Sequence, residues 1–398
     1  MSRVIVLGAG VIGASVAYHL ALAGADVTVI EAGGPAAGTS SATFAMDVTH
    51  LKTPVSYYEF NRRSAALHAE LAAELGGASW RHAAPTVQWA NTAAEQRSLR
   101  ERATRLRSWG HPCRFADPAE LRELAPAVDP SACPAEEIVV HEATAWYDAP
   151  LFVRSLLDRA ALLGADIHYG LRATALTLDG GRVRGVRTGS RRFEADWVVN
   201  CAGPDADRIA GFAGVRLPME RVPGLVGETT PVPEARLEAI LTTPDVDLRP
   251  APGDRVCSIS WPIDALLPHE PAPGSGGLTP QERLHRQGQR LIPALRSARL
   301  AGARIGVRPV PTDGLPLVGT SPAAPGLYSV VTHSGVNLAP LLGRLVAGEL
   351  SEGRPSAELA PYRVTRDPAA TVQDESLHRM SGERAALQTD AGAGAAQV

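Results

Sequence analysis

The sequence predicts an α/β protein in which one domain, cut into separate segments, is interleaved with a second domain of mixed or antiparallel sheet (α+β). Three observations carry this expectation. Residues 3–31 read as strand, glycine-rich turn, helix and strand. From about 216 to 303 the texture changes to frequent prolines and short strand-like runs such as "VCSISW". Residues 304–362 return to glycine-punctuated strands and one strong helix. A chain of 398 residues suits two domains at ~100–200 residues each. The expected division is 1–84, 140–215 and 304–362 for the first domain, and 85–139 with 216–303 for the second.

The elements follow in order. Residues 3–8 form a strand, 12–24 a helix ending at Gly24, and 26–31 a second strand. Thr53 reads as an N-cap with Pro54 at the first helical position, and that helix runs to Gly76-Gly77. Thr92 with Glu95 forms a capping box. Asp117-Pro118 with Glu120 marks a third start, and Asp148 a fourth whose helix ends near Gly164. Short strands follow through Asn200, two of them joined by the Gly180-Gly181 turn of a hairpin. "PHEPAPGSGG" reads as an exposed loop, and Thr279, Pro280 and Glu282 start another helix. Beyond Arg363 the chain is polar and Ala/Gly-rich, and 363–398 is expected to be a disordered tail.

Composition narrows the function. A net charge of −3 excludes a general nucleic-acid surface. No segment has the apolar length to span a bilayer, and the N-terminal apolar run is broken by spaced glycines, unlike a signal peptide. A cytoplasmic enzyme is expected. Cys113, Cys133, Cys201 and Cys257 are far apart and read as buried free thiols, with no metal site. Lys52 is the only lysine.

"GAGVIG" places glycines at 8, 10 and 13 between a strand and a helix, and Glu31 ends the second strand. In that setting Gly8 permits the turn, Gly10 a close pyrophosphate, and Gly13 tight helix–strand packing. Glu31 suits the two hydroxyls of an adenosine ribose and repels a 2′-phosphate. The small-residue run "AGGPAAGTSSATFA" after Glu31 and the strand end "VVNCAGP" favour FAD while leaving NAD open.

The fingerprint, the "GTSS" loop, "VVNCAGP", "GVRPVPTDGLPLVG" and "THSGVNLAPLLG" occur in the order seen in the D-amino-acid oxidase, glycine oxidase and sarcosine oxidase family. The chain resembles that family over most of residues 1–362, sharply at these motifs and vaguely in 216–303. The resemblance implies a Rossmann-like FAD-binding domain interleaved with a mixed/antiparallel-sheet α+β substrate domain. It also implies oxidation of a carbon–nitrogen bond. Along the cofactor it implies Gly8, Gly10, Val11, Ile12, Gly13, Glu31, Ala32, Thr39, Ser40, Ser41, Ala173, Ala202, Gly203, Arg308, Gly335, Val336, Asn337 and Leu338. Residues 303–312 lack the cysteine through which several family members attach flavin, so FAD is expected to be noncovalent.

In the last segment Asn337 reads as an N-cap, Pro340 lies in the first turn, and Gly353 suits the helix end. That helix N-terminus would favour negative charge on a reduced flavin. His333, just before it, contacts either flavin or substrate, or is simply held by backbone. His50, Lys52 and Tyr58 follow the "GTSS" loop. Lys52 reads first as a surface residue starting a helix and second as a cation beside the flavin. His50, His333 and Tyr58 are carried as catalytic candidates, with His50 as an outside attachment point.

Arg308 sits in an apolar, Gly/Pro-rich strand. Two readings compete: an internal ion pair with Asp313, or a fork that holds a substrate carboxylate. The resemblance favours the second, because a "G-x-R-P" arginine anchors the carboxylate in glycine and D-amino-acid oxidases. The expected partners are an amine or amino acid and O2 or another electron acceptor. The alternatives are a flavin-dependent 2-hydroxy-acid dehydrogenase, a tailoring oxidase of a large amine, and a non-catalytic flavoprotein partner.

Overall fold

The computed structural model describes residues 2–77, 79–267 and 278–370. The "PHEPAPGSGG" loop and residues 371–398 lie outside the described residues. The chain divides into two compact units. The first contains Met1–Trp80, Tyr147–Val222 and the chain from Val307; the second contains Arg81–Trp146 and Pro223–Gly306.

The first unit is built on a six-stranded sheet. Its strands lie in the order Leu317–Thr320, Leu327–Val331, Trp197–Asn200, Arg3–Leu7, Asp26–Ile30 and Asp166–His168. All neighbours are parallel except the first pair, which is antiparallel. Parallel strands need crossovers, and the helix Val11–Leu22 supplies the first of them. It is buried almost all round, because the helices Ala149–Leu162 and Gly335–Glu352 both pack against it. Two glycines permit the turn that precedes it. Gly8 has φ +104°, and a Cβ there would lie 2.6 Å from the Cys201 carbonyl oxygen. A Cβ on Gly13 would lie 1.9 Å from the Gly8 carbonyl oxygen. The Gly180-Gly181 hairpin turn forms as expected, with both residues at positive φ.

The second unit holds most of an eight-stranded sheet. Its strands lie in the order Leu300–Pro311, Met219–Thr229, Arg255–Ile259, Asp247–Ala251, Ile240–Thr242, Thr86–Gln88, Ile138–His141 and Cys113–Ala116. Most pairings are antiparallel, and Ile240–Thr242 with Thr86–Gln88 is a parallel one. Val87, Val140, Leu241 and Leu248 share a core with Leu284 and Leu291 of the helix Pro280–Leu291.

Local capping rules hold where the cap is local. Thr92–Glu95 and Thr279–Glu282 are both full capping boxes, and Asp148 caps through the Leu151 amide. Asp117 caps the expected start through the Ala119 amide, opening one 3₁₀ turn and the four-residue helix Leu121–Leu124, which stops where Ala125 leaves helical geometry. Two expectations are corrected. Thr53 does not cap: the helix is Val55–Glu74, Pro54 stands at the cap position, and the Thr53–Pro54 peptide is cis. Residues 363–370 are not a free tail. Arg363 bonds the Glu349 carboxylate, and Arg366 forks onto Asp313. All four cysteines are free thiols; Cys133 is half-buried and the others are buried.

Candidate flavin and substrate site

Four segments of the first unit meet around the start of the Val11–Leu22 helix. The Glu31 carboxylate accepts the Ala9 amide at 2.8 Å and the Gly33 amide at 2.6 Å, which ties the glycine turn to the end of the second strand. Ser40 Oγ accepts the Val11 amide at 3.0 Å, so the "GTSS" loop is pinned to the helix start. Thr39 Oγ1 donates to the Val307 carbonyl at 2.5 Å, fixing the residue just before Arg308 to the same loop. Gly335 begins the last helix, and a Cβ on it would lie 3.3 Å from Val11 Cγ1 and 3.6 Å from Ile12 Cγ1. Two helix N-termini therefore converge. Neither has an acid in its first turn or a cap from its own N-cap side chain.

The remaining expected cofactor residues distribute around this point. Cys201 and Ala202 abut Gly8, and Gly203 opens a short 3₁₀ turn with φ +55°. Ala32 is exposed and follows Glu31; Ser41 is half-buried, with its hydroxyl on the Gly38 carbonyl. Ala173 is buried two residues beyond Leu171, whose amide bonds the Glu31 carbonyl. Val336 and Leu338 are buried in the first turn of the last helix.

Asn337 is not the N-cap. Ser334 stands there, and the Asn337 side chain donates to Asn61 Oδ1 at 3.0 Å. Pro340 therefore falls one turn deeper than expected, inside the helix. It has no N–H for the Val336 carbonyl. The buried ring of His68 takes over, with Nε2 at 2.9 Å from Val336 O, while His68 Nδ1 accepts the Trp80 indole N–H at 3.4 Å. Sequence reasoning missed His68 and Trp80. The signal was a proline five residues into a helix, which needs a substitute donor for one carbonyl.

Lys52 is not a surface residue. Only 2% of it is exposed, and Nζ lies 3.1 Å from His333 Nε2 and 5.6 Å from the centre of the Tyr57 ring. His333 Nε2 is also 3.3 Å from Ser334 Oγ. Hydrogen bonding thus joins the turn after the "GTSS" loop to the turn before the last helix. His50 is buried in the 3₁₀ turn Thr49–Leu51, whose first residue bonds Asp47 Oδ1 through its amide and hydroxyl. Tyr57 and Tyr58 are buried on the Val55–Glu74 helix, with Tyr57 packed near Tyr362.

Arg308 is half-buried on the strand directly after Val307. Asp313, the acid weighed as its internal partner, accepts Arg366 through both oxygens at 2.8 Å each and also the Leu315 amide. Asp313 therefore anchors the chain after Arg363. The buried thiol of Cys201 is pushed well above the ordinary range by desolvation, which leaves it protonated beside the glycine turn.

Residues 3–349 match the family described as FAD dependent oxidoreductase, DAO. The chain belongs to the DAO family of FAD-dependent oxidoreductases. The glycine oxidase of Geobacillus kaustophilus (strain HTA426) is 27% identical over 380 residues, covering 91% of this chain and 96% of that protein. The uncharacterized oxidoreductase YurR of Bacillus subtilis (strain 168) is 26% identical over 391 residues, covering 94% and 100%. Among solved structures, glycine oxidase from G. kaustophilus superposes with TM-score 0.79 at 25% identity, covering 92% of this chain and all of that one. L-proline dehydrogenase from P. horikoshii shares the fold, with TM-score 0.79 at 18% identity over 94% and 99%. The cofactor of this DAO-family chain is FAD. The glycine turn closed against Cys201, the Glu31 carboxylate at the strand end and the two converging helix N-termini fit such a dinucleotide. Among the described residues no helix is long and apolar enough to cross a membrane, and no group of three or more His, Cys, Asp or Glu is placed to hold a metal ion.

Proposed function

We propose that this DAO-family oxidoreductase oxidises the carbon–nitrogen bond of an amino acid or N-substituted amino acid. The reading is carried by Arg308, held through Val307 against the "GTSS" loop that is itself pinned to the start of the Val11–Leu22 helix. The glycine oxidase relative supports an amino-acid substrate.

Arg308 binds the substrate carboxylate with its planar fork and so fixes the Cα–H for transfer. The amine is neutral when the bond breaks. Cα–H leaves as hydride and the nitrogen loses a proton, giving an imine that water hydrolyses to a carbonyl compound and ammonia or an amine. Bound FAD supplies the two-electron acceptor, and O2 or another acceptor takes the electrons onward. The helix starting at Gly335 stabilises negative charge at its N-terminus. The Lys52–His333 contact orders the turn before it. FAD is held without a covalent bond to cysteine, consistent with a Cys201 thiol kept protonated by burial.

The test is anaerobic bleaching of the flavin by amino acids, their carboxamides and 2-hydroxy acids. Amino acids bleach it, carboxamides do so poorly, and 2-hydroxy acids do not. Removing one partner of a desolvated charge pair costs ~2–5 kcal/mol, so Arg308→Met lowers kcat/KM by roughly 30-fold to several-thousand-fold. The mutant also loses the acid-over-amide preference. Bleaching by 2-hydroxy acids alone overturns the reading, and so does an equal response to acids and carboxamides.

A further inference from the structure

The strand that carries Arg308 loses two backbone donors directly after it. Pro309 and Pro311 have no N–H to give to a neighbouring strand. Before Arg308 the chain is fixed by the bond from Thr39 Oγ1 to the Val307 carbonyl. After it, the position of the strand depends on the turn that ends it. The Gly314 amide closes that turn on the Pro311 carbonyl at 2.8 Å, and the Thr312 amide reaches the Pro218 carbonyl at 3.0 Å. At its centre Asp313 is buried and accepts the Leu315 amide at 3.1 Å.

Arg366 holds this turn with its whole guanidinium. Nε and Nη2 fork onto the two Asp313 oxygens at 2.8 Å each, and Nη2 also donates to the Leu315 carbonyl at 2.9 Å. Nη1 donates to the carbonyls of Pro316 at 2.7 Å and Arg363 at 3.2 Å. Every N–H of the fork therefore has a protein acceptor, so Arg366 has none left for a ligand. Three residues earlier, Arg363 Nη1 bonds the Glu349 carboxylate at 2.9 Å, near the end of the helix Gly335–Glu352. The Val364 amide reaches the Val318 carbonyl at 3.1 Å. One short strap thus ties the turn after Arg308 to the helix whose start lies against Val11. It stands beyond residues 3–349, in a part of the chain that the family match does not cover.

We propose that Arg366, acting through Asp313, is a positioning residue for Arg308. This role rests on Arg308 holding a carboxylate, as proposed above. A loosened turn lets the end of the strand shift and carries the Arg308 fork off its carboxylate. Misplacement by about 1 Å costs on the order of 10²-fold in an oriented site. A lysine at 366 keeps the charge but has three donors and no planar fork, so it cannot hold Asp313, Leu315 and Pro316 together.

The experiment compares the FAD-loaded wild type with Arg366→Lys and Asp313→Glu, which keep both charges, and with Arg363→Lys, which loosens the helix end of the strap and leaves the turn alone. Each is assayed well below its melting midpoint. Binding of acetate and propionate against their carboxamides is measured by calorimetry. Values of kcat and KM are measured for glycine, alanine and proline against theirs. In Arg366→Lys and Asp313→Glu the acid-over-amide preference falls by on the order of 10-fold. The loss lies in the acid's Kd and KM, while the amide values and the FAD content stay as in wild type. Arg363→Lys is less stable and keeps the full preference. A purely structural clamp lowers stability and leaves the preference untouched in every variant, which overturns the proposal. So does an equal loss for acid and amide, an equal loss of preference in Arg363→Lys, or loss of FAD from both turn variants. If wild-type protein does not prefer acids, the role of Arg308 fails and this role falls with it. If it prefers them, Arg308→Met abolishes the preference and the turn variants keep it, this inference alone fails.

Discussion

His68 Nε2 lies 2.9 Å from the Val336 carbonyl oxygen, the acceptor that Pro340 leaves without its helical donor. The two residues are complementary defects: a proline inside a helix, and a buried histidine whose partner is main chain. Trp80 fixes the arrangement by donating to His68 Nδ1, which makes Nε2 the protonated nitrogen.

The first prediction follows from that pairing. His68→Leu leaves the Val336 carbonyl buried and unsatisfied, at a cost of ~1–3 kcal/mol. Pro340→Ala restores an N–H to the same carbonyl. The double variant His68→Leu/Pro340→Ala is therefore more stable than His68→Leu alone, and a double-mutant cycle in urea measures the coupling. Additive losses would show that the two residues act independently.

Which parts of this fold were legible depends on the range of the cause. The glycine turn, the Glu31 position and the boxes at Thr92 and Thr279 are encoded within a few residues, and they form as read. The start of the last helix was misplaced because the Pro340 rule assumes no outside donor, and His68 supplies one from 268 residues away. Lys52 was misread for a related reason. A lysine beside a turn is ordinarily exposed, but its burial here is set by His333, 281 residues along the chain. Arg366 looked like tail, and nothing local announces its fork onto Asp313.

The second prediction separates the two arginines that compete for the role of structural partner to Asp313. Arg366 and Asp313 form a buried bidentate pair, with side-chain exposures of 9% and 1%. Breaking such a pair by removing one partner costs ~3–5 kcal/mol, because a buried charge is left behind. Arg366→Met and Asp313→Asn shift the denaturation midpoint by that amount, whereas Arg308→Met leaves it nearly unchanged and loses activity instead. A stability loss for Arg308→Met equal to that of Arg366→Met would reassign Arg308 to the scaffold.

The third prediction concerns acid sensitivity. His111 Nε2 and His141 Nδ1 are 3.0 Å apart inside the second unit. One ring donates and the other accepts, so the pair is neutral, and a second proton would place two like charges in contact. Burial lowers His111 to about 4. Burial also pushes His141 well below its ordinary value, with the charges of His111 and Arg102 adding to the effect. In the first unit, burial brings His19 to about 4, against the opposing pull of its bond to the Ser15 carbonyl. Each folded-state value lies below the unfolded value of 6.5, so the folded protein binds fewer protons than the unfolded chain between those limits. The stabilisation is complete above pH 6.5 and is lost as pH falls from about 6.5 toward about 4. The melting temperature therefore drops by several degrees across that window. His111→Gln removes one titrating group while keeping a donor for His141, and its profile across the same window is shallower. A wild-type melting temperature that stays level from pH 6.5 to about 4 would contradict the assignment of these histidines as buried and neutral.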